Sequence, residues 1–389
     1  MYRPTYINVD GNIIENNIKN IISNYSDYKY YFAVVKNNAY HHGIYAAKYM
    51  ISGGANYLAV SSLEEALSLR KYFTDIPILI LEPIMSEYVY DAINSNITIT
   101  ISSYQEAEDL CNLKLSDQVK VHLKIDSGMS RLGFKVQSEF DKAYKLLSDN
   151  KKVFIEGIYT HLATSGVNDL HYFDQVSNFK KITKNVDLNN IPIVHVDRSL
   201  TLVTHDKLDF VNGFRMGIVM YGYKQNIGSG NIITKIKREQ LWKKNDIKGV
   251  HLTNNLNLEY ALSMYSKVMQ IRRVLPGDFV GYGAMYTVKE DSYIATIPVG
   301  YADGVIKDFK YVYINNKAYE IVAECMDMIM VKVDSNVNVN DDVEIIGKHQ
   351  NIKDLGVRMK LSGYKFLNLF STRVPIIYTY NDEKIEIKY

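Results

Sequence analysis

Five side chains capable of chemistry stand at comparable points of this sequence. Lys36 closes the run Tyr31-Phe32-Ala33-Val34-Val35, and Arg131 lies in the loop after a second apolar run, 119–125. His161 follows 153–159, Ser199 follows 193–196, and Arg215 with Gly217 follows 210–211. A lysine at the end of a strand buried on both faces is stripped of water. The position therefore suits either a salt-bridged structural lysine or a nucleophilic one that forms a Schiff base. A lysine, two arginines, a histidine and a serine at matching strand ends imply a basic pocket for an anionic ligand.

Only a scaffold that gathers strand ends can bring them together. Short apolar runs at 31–36, 57–60, 78–81, 97–101, 119–125, 153–159, 193–196 and 210–211 alternate with longer segments. Among those segments, 62–73 places Leu63, Ala66, Leu67 and Leu69 on one side, and 137–147 does so with Phe140, Ala143, Leu146 and Leu147, as helices require. Eight such units predict an N-terminal (β/α)8 barrel of the TIM type, whose chemistry sits at the C-terminal strand ends. A doubly wound sheet would more often carry a glycine-rich phosphate loop after its first strand, and none follows Lys36.

The pattern changes after Gly222. Residues 225–260 are polar, include Gly228-Ser229-Gly230 and a charged stretch at 235–248, and read as a linker or surface excursion. Short strands with turn residues between them follow at 262–271, 279–282, 293–297, 312–314, 321–323, 328–333 and 343–346. The predicted organisation is a barrel over 1–224, a linker over 225–260 and a mostly-β domain over 261–389. A short strand at 5–9 shows no helix before the next unit, and residues 1–10 are expected to pair with the second domain.

Composition narrows the partners. With Lys+Arg 45 against Asp+Glu 43 in 389 residues and the charges scattered, no basic tract argues for nucleic acid or an anionic membrane. A small molecule is the expected partner. The N-terminus lacks the apolar core of a signal peptide and no run approaches a membrane span, so a cytoplasmic protein is expected. Cys111 and Cys325 are too few for a disulfide framework, and His41, His42 and His122 have no metal-ligand spacing to a carboxylate cluster.

The segments themselves resemble a known family. Val34-Val35-Lys36-Asn37-Asn38-Ala39-Tyr40 and Lys124-Ile125-Asp126-Ser127-Gly128-Met129-Ser130-Arg131-Leu132-Gly133 are similar to two signatures of the alanine racemases, which are pyridoxal-phosphate enzymes of fold type III. Tyr159-Thr160-His161, Arg215-Met216-Gly217-Ile218, Tyr282-Gly283, Gly300-Tyr301-Ala302-Asp303-Gly304, Cys325-Met326-Asp327, and Tyr364 ahead of Arg373-Val374-Pro375 follow in the family's order.

The resemblance implies a homodimeric isomerase that interconverts L- and D-alanine by two bases, for D-alanine biosynthesis and the cell wall if the source is bacterial. Lys36 would carry pyridoxal 5'-phosphate and act on one face of the substrate Cα; Tyr282 of the other subunit would act on the opposite face. A phenol is a poor base near neutral pH, and the family gives His161 and Arg215 the task of assisting it. Arg215 would also face the pyridine nitrogen. Tyr40, Ser199, Gly217, Ile218 and Tyr364 would hold the phosphate, Arg131 and the backbone at Met326 the substrate carboxylate. Lys124 corresponds to a lysine that is carbamylated in many members. No metal is implied.

Arg198 stands where the family usually has asparagine, Asn37 and His41 replace a small residue and a glycine, and Ala323 and Lys307 occupy arginine positions. These departures bear on substrate range and rate. Two other functions fit the same residues: a racemase preferring serine or a broader set of small amino acids, and a cofactor-binding carrier or regulator without turnover. Tyr364 crowds the substrate side and favours alanine; retention of both Lys36 and Tyr282 argues against the carrier.

Overall fold

The structure is a computed structural model that describes residues 2–224, 230–252 and 255–386. Residues 225–229 and 253–254 of the expected linker, Gly228 and Ser229 included, lie outside the described residues, as do 387–389.

Strand β1 (Tyr6–Asp10) leads into a helix, Gly11–Asn24. Then come β2 (Tyr30–Val34), β3 (Tyr57–Val60), β4 (Ile78–Ile80), β5 (Ile97–Ile101), β6 (Val119–Ile125), β7 (Val153–Thr160), β8 (Ile193–Arg198) and β9 (Gly213–Met216). These eight strands from β2 onward close into a barrel. All pairs are parallel, and Phe32 of β2 lies opposite both Tyr57 and Arg215, which closes the ring. Helices such as Leu63–Arg70 and Gln137–Asp149 cover the outside. Ser62 caps the first of them by accepting the Glu65 N–H, a contact of about 1 kcal/mol.

The second sheet is antiparallel apart from one pair. It uses β10 (Leu262–Lys267), β11 (Gln270–Val274), β14 (Ser292–Ile297), β15 (Tyr311–Ile314), β16 (Lys317–Glu324), β17 (Ile329–Val333), β18 (Asp342–Ile346), β19 (Ile376–Tyr380) and β20 (Glu383–Glu386). A separate ribbon joins β12 (Phe279–Val280) to β13 (Tyr286–Thr287). The chain's first strand, β1, lies between β10 and β19 in that second sheet, antiparallel to one and parallel to the other.

Three expectations fail locally. The eighth barrel strand is Gly213–Met216, not 210–211, because Arg215 disguises an otherwise apolar strand; four acceptors inside the barrel take hydrogen bonds from its Nη1 and Nη2. Arg215 therefore lies within the strand and not after it. The region after β1 does contain a helix. Asp10 accepts the Ile13 N–H, Ile14, Ile18 and Ile21 face the core, and the asparagines that obscured this periodicity are partly structural. Asn17 is buried, donating to Met220 O and Glu259 O. The run 262–271 is two strands, not one. Within 225–260, Ile232–Lys244 is helical, and Trp242 Nε1 donates to Val167 O to hold it against the barrel.

Candidate active site

At the C-terminal end of the barrel lies a cavity of about 500 Å³, lined by Lys36, Tyr40, Lys124, Arg131, His161, Arg198, Ser199, Arg215, Gly217 and Tyr364 among others. That size suits a small-molecule ligand. Five of its lining residues are cationic, Lys36, Lys124, Arg131, Arg198 and Arg215, against the single carboxylate of Glu82.

Lys36 begins where β2 stops. The five residues after it, Asn37 to His41, all have φ between 50° and 65°. Left-handed backbone costs roughly 1 kcal/mol or more per non-glycine residue, and asparagine bears it best. Local bonds offset that cost. Asn37 N–H donates to Glu65 Oε1 and Ile44 N–H to Asn38 Oδ1. The turn so formed sends both Lys36 and Tyr40 into the cavity. Among the described residues no carboxylate forms an ion pair with Lys36, which argues against the salt-bridged reading of this lysine. Asn37, one of the departures, also donates through Nδ2 to Asn368 Oδ1, tying the lysine turn to the segment that carries Tyr364.

Opposite the lysine, Gly217 N–H donates to Ser199 Oγ at 2.9 Å. A Cβ built on Gly217 would stand 3.3 Å from Ser199 Oγ and 3.6 Å from the Tyr40 hydroxyl, so a bare glycine keeps this polar cradle open. Ile218, next in line, is buried at the start of a short turn. Arg198 completes the rim. Its Nε donates to Leu162 O at 2.8 Å, and the half-buried side chain lines the cavity.

Arg215 is buried and makes four hydrogen bonds: Nη1 to His195 Nδ1 and His195 O, both 2.7 Å, and Nη2 to Thr160 O and Val196 O. Nε makes none among the described residues. Burial pulls its pKa down to about 10, which still leaves it charged near neutral pH. His161 is driven well below the ordinary histidine range by burial and then by Arg215, Arg198 and Arg131, so its ring is neutral. Lys124 is lowered to about 8, by burial first and by Arg131 and Arg215 next. Its Nζ lies 3.5 Å from Leu81 O.

Matches to known proteins follow the same residues. The family described as "Alanine racemase, N-terminal domain" matches residues 9–225, and "Alanine racemase, C-terminal domain" matches 261–378. This chain belongs to the alanine racemase family. Alanine racemase 1 of Bacillus subtilis strain 168 is 30% identical to it, across 100% of this chain and 96% of that one. The crystal structure of alanine racemase from Bacillus anthracis with bound L-Ala-P has a TM-score of 0.84 at 30% identity, covering 99% of this chain and 97% of that one. A histidine racemase from Leuconostoc mesenteroides has a TM-score of 0.82 at 27% identity, over 97% of this chain and 99% of that one.

Three expected site residues of this alanine racemase family member do not line the cavity: the buried Ile218, and Tyr282 and Met326. Tyr282 is 76% exposed and Met326 is 53% exposed, and neither lines it. Tyr282 stands on a tight turn after β12. Gly281 has φ 83°, and a Cβ there would meet Ala323 Cβ at 2.6 Å; the small Ala323 lets the turn pack down. Arg373 fixes the turn at Met326 by donating to Asp327 Oδ1 and Asp303 Oδ1. Asp303 is buried and also accepts from Arg3 and Gly300, so it is a structural anchor. Phe279, Met285, Tyr301 and Met328 are exposed in the neighbouring sequence, leaving much apolar surface uncovered around both residues.

Sequence reasoning passed over Ser61, Glu82 and Asn368, all of which line the cavity. Ser61 directly follows β3 and Glu82 lies two residues past β4, so the strand-end rule that found Lys36 applied to them too.

Proposed function

We propose that this protein interconverts L- and D-alanine with pyridoxal 5'-phosphate as cofactor. The observation that carries the reading is Lys36, without an ion-pair partner among the described residues, facing the same cation-rich cavity as the Tyr40, Ser199 and Gly217 cradle.

The residues present fit that cofactor. The cradle that any Cβ at Gly217 would fill suits a phosphate, with Ile218 and Tyr364 beside it and the Arg198 guanidinium adding a charge that asparagine lacks. Nε of Arg215 is the donor left for a ring nitrogen, and Lys36 is the amine that would hold the cofactor's aldehyde carbon. When bound, pyridoxal phosphate holds the substrate nitrogen covalently and takes up the electron pair left behind by the Cα proton. Arg215 limits that uptake, because a guanidinium does not readily give a proton to the ring nitrogen. Arg131 and the Met326 backbone receive the substrate carboxylate. Lys36 Nζ accepts or returns the Cα proton on one face, and Tyr282 OH does so on the other.

Tyr282 reaches a cavity only by way of a second copy of the chain. Its exposure, the exposed apolar residues near it and its absence from its own chain's cavity support a homodimer with composite sites. The functional units in this reading are a cofactor-binding barrel over 1–224, a connecting stretch over 225–260 and a tyrosine-donating domain over 261–389. The enzyme works in the cytoplasm, supplying D-alanine to cell-wall precursors.

Lys124 carries a carbamate in this reading. Its pKa near 8 leaves a sizeable neutral fraction, whose nitrogen lone pair attacks the carbon of CO2 with loss of one proton. The resulting anion attracts the Arg131 guanidinium. With 13C-labelled CO2 held at fixed dissolved concentration, a carbamate carbon resonance should grow as pH rises through about 8, since the ammonium loses its proton there. It should vanish in Lys124→Met. A resonance that survives that substitution would assign the carbamate elsewhere.

Racemisation by the purified, cofactor-loaded protein, followed by chiral chromatography on L-alanine, L-serine and L-histidine, tests the function. Alanine is expected to be the best substrate, because Tyr364 narrows the pocket. The histidine racemase of like fold makes that panel necessary, since the fold alone does not set the side chain accepted. Preference for serine or histidine would overturn the alanine assignment; bound cofactor with no turnover of any of the three would make the protein a carrier.

A further inference from the structure

The barrel interior holds a line of polar groups that the racemisation steps do not use. It starts at the cavity, where Arg215 Nη1 meets His195 Nδ1 at 2.7 Å. His195 Nε2 meets His122 Nδ1 at 2.9 Å, and His122 Nε2 meets Glu156 Oε2 at 3.1 Å. Glu156 stands in the first half of β7, so the line crosses the barrel from its catalytic end toward its N-terminal end. There Tyr57 OH and Thr98 Oγ1 also donate to Glu156 Oε2, and Lys120 Nζ lies 3.9 Å from Oε1.

Hydrogen-bond chemistry gives the line one direction. A guanidinium only donates, so His195 Nδ1 must be the acceptor and its proton must sit on Nε2. That proton needs the lone pair of His122 Nδ1, which puts the His122 proton on Nε2 as well. A carboxylate, which only accepts when ionised, ends the line. Each contact then has one donor and one acceptor.

The surroundings enforce this arrangement. Both imidazoles are fully buried. Burial, and for His195 also Arg215, lowers both below the ordinary histidine range, so both rings are neutral. Burial alone would raise the Glu156 carboxyl, but the hydrogen bonds it accepts from His122 and Tyr57, with Lys120 nearby, outweigh burial and hold it below the ordinary carboxylate range. The His195 ring is stacked between Phe32 and Tyr159, at 4.7 and 4.6 Å between centroids. A Cβ on Gly157 would lie 2.6 Å from the His122 ring, so only glycine leaves that ring its place.

We propose that Glu156 is a remote positioning residue for Arg215: through His122 and His195 it locks both rings as Nε2–H tautomers and so keeps an acceptor permanently aimed at Nη1. Without an acceptor at the far end, the His122 proton would favour Nδ1 and face the His195 Nε2–H. His195 would then move its own proton to Nδ1, against Arg215, and the guanidinium would lose its seat. The catalytic consequence rests on the racemase reading, in which Arg215 faces the cofactor ring; the tautomers themselves do not.

The test is long-range 1H–15N NMR of the imidazole rings in the holoprotein, assigned by single His→Gln variants. His122 and His195 should both show a bare Nδ1 and a protonated Nε2, unchanged between about pH 6 and 9. A protonated Nδ1 or a charged imidazolium at either ring would overturn the proposal without any variant. Glu156→Gln keeps an acceptor oxygen and should keep both tautomers, with kcat within about threefold of wild type. Glu156→Leu removes it. That variant should shift the His195 tautomer and lower kcat by about 10- to 100-fold with KM little changed. A folded Glu156→Leu protein with wild-type tautomers and kcat would also refute the idea. If Glu156→Leu does not fold, the wild-type spectra decide. Wild-type spectra as stated in a protein that fails to racemise would count against the function and not against the relay.

Discussion

Replacing Lys36 by alanine is expected to lower alanine racemisation by about 10³-fold or more, while the protein stays folded. Both halves of that expectation come from the local structure. Lys36 has no ion-pair partner among the described residues, so its removal strands no opposite charge. The strained turn behind it is held by Asn37, Asn38 and Glu65, which the substitution leaves alone. Stability should therefore change by less than about 1 kcal/mol. The loss is chemical: in the proposed reaction no other amine replaces the one that holds the cofactor and moves a proton, since Lys124, the other lysine of the cavity, projects from β6 with its Nζ 3.5 Å from Leu81 O. Racemisation rate and urea unfolding of the same Lys36→Ala preparation check it. A protein that unfolds readily but retains a near-normal rate would restore the structural reading of this lysine.

Tyr282→Phe should have the second largest effect, and a stereochemical one. Removing the phenolic oxygen leaves Lys36 able to serve one face of Cα only. In deuterated water the variant should exchange the Cα hydrogen of a single enantiomer while inversion falls by about 10²-fold or more. Folding should be unaffected, as the side chain is largely exposed in the isolated chain. Proton NMR of each enantiomer, with chiral chromatography of the same samples, reads both quantities. Unimpaired inversion would remove Tyr282 from the reaction.

Much of the cavity was legible in the sequence because a barrel makes strand ends converge. Lys36, Arg131, His161 and Ser199 could be placed from apolar runs alone. Arg215 was placed less well: periodicity does not find a strand with a guanidinium in it, and only the four acceptors around Nη1 and Nη2 explain how β9 buries one. Tyr282 and Met326 were found by family resemblance only. Their spacing does not mark them, and both are exposed and stand outside their own chain's cavity. His122, His195 and Glu156 escaped for another reason. A search for metal spacing looks for ligands converging on a point, whereas these residues form a line, each on a different strand. The helix at Ile232–Lys244 was hidden by its polarity, which leaves few apolar positions to show a period.

Mixing tests most directly whether, as proposed, one site draws Lys36 and Tyr282 from two chains. Lys36→Ala and Tyr282→Phe proteins, each expected to be nearly inactive alone, are dissociated together and allowed to reassociate. Random pairing makes about half the dimers mixed, each with one site carrying both native residues, so racemisation should return to about a quarter of the wild-type value. A mixture that exchanges subunits yet remains as inactive as its parents would contradict the composite site.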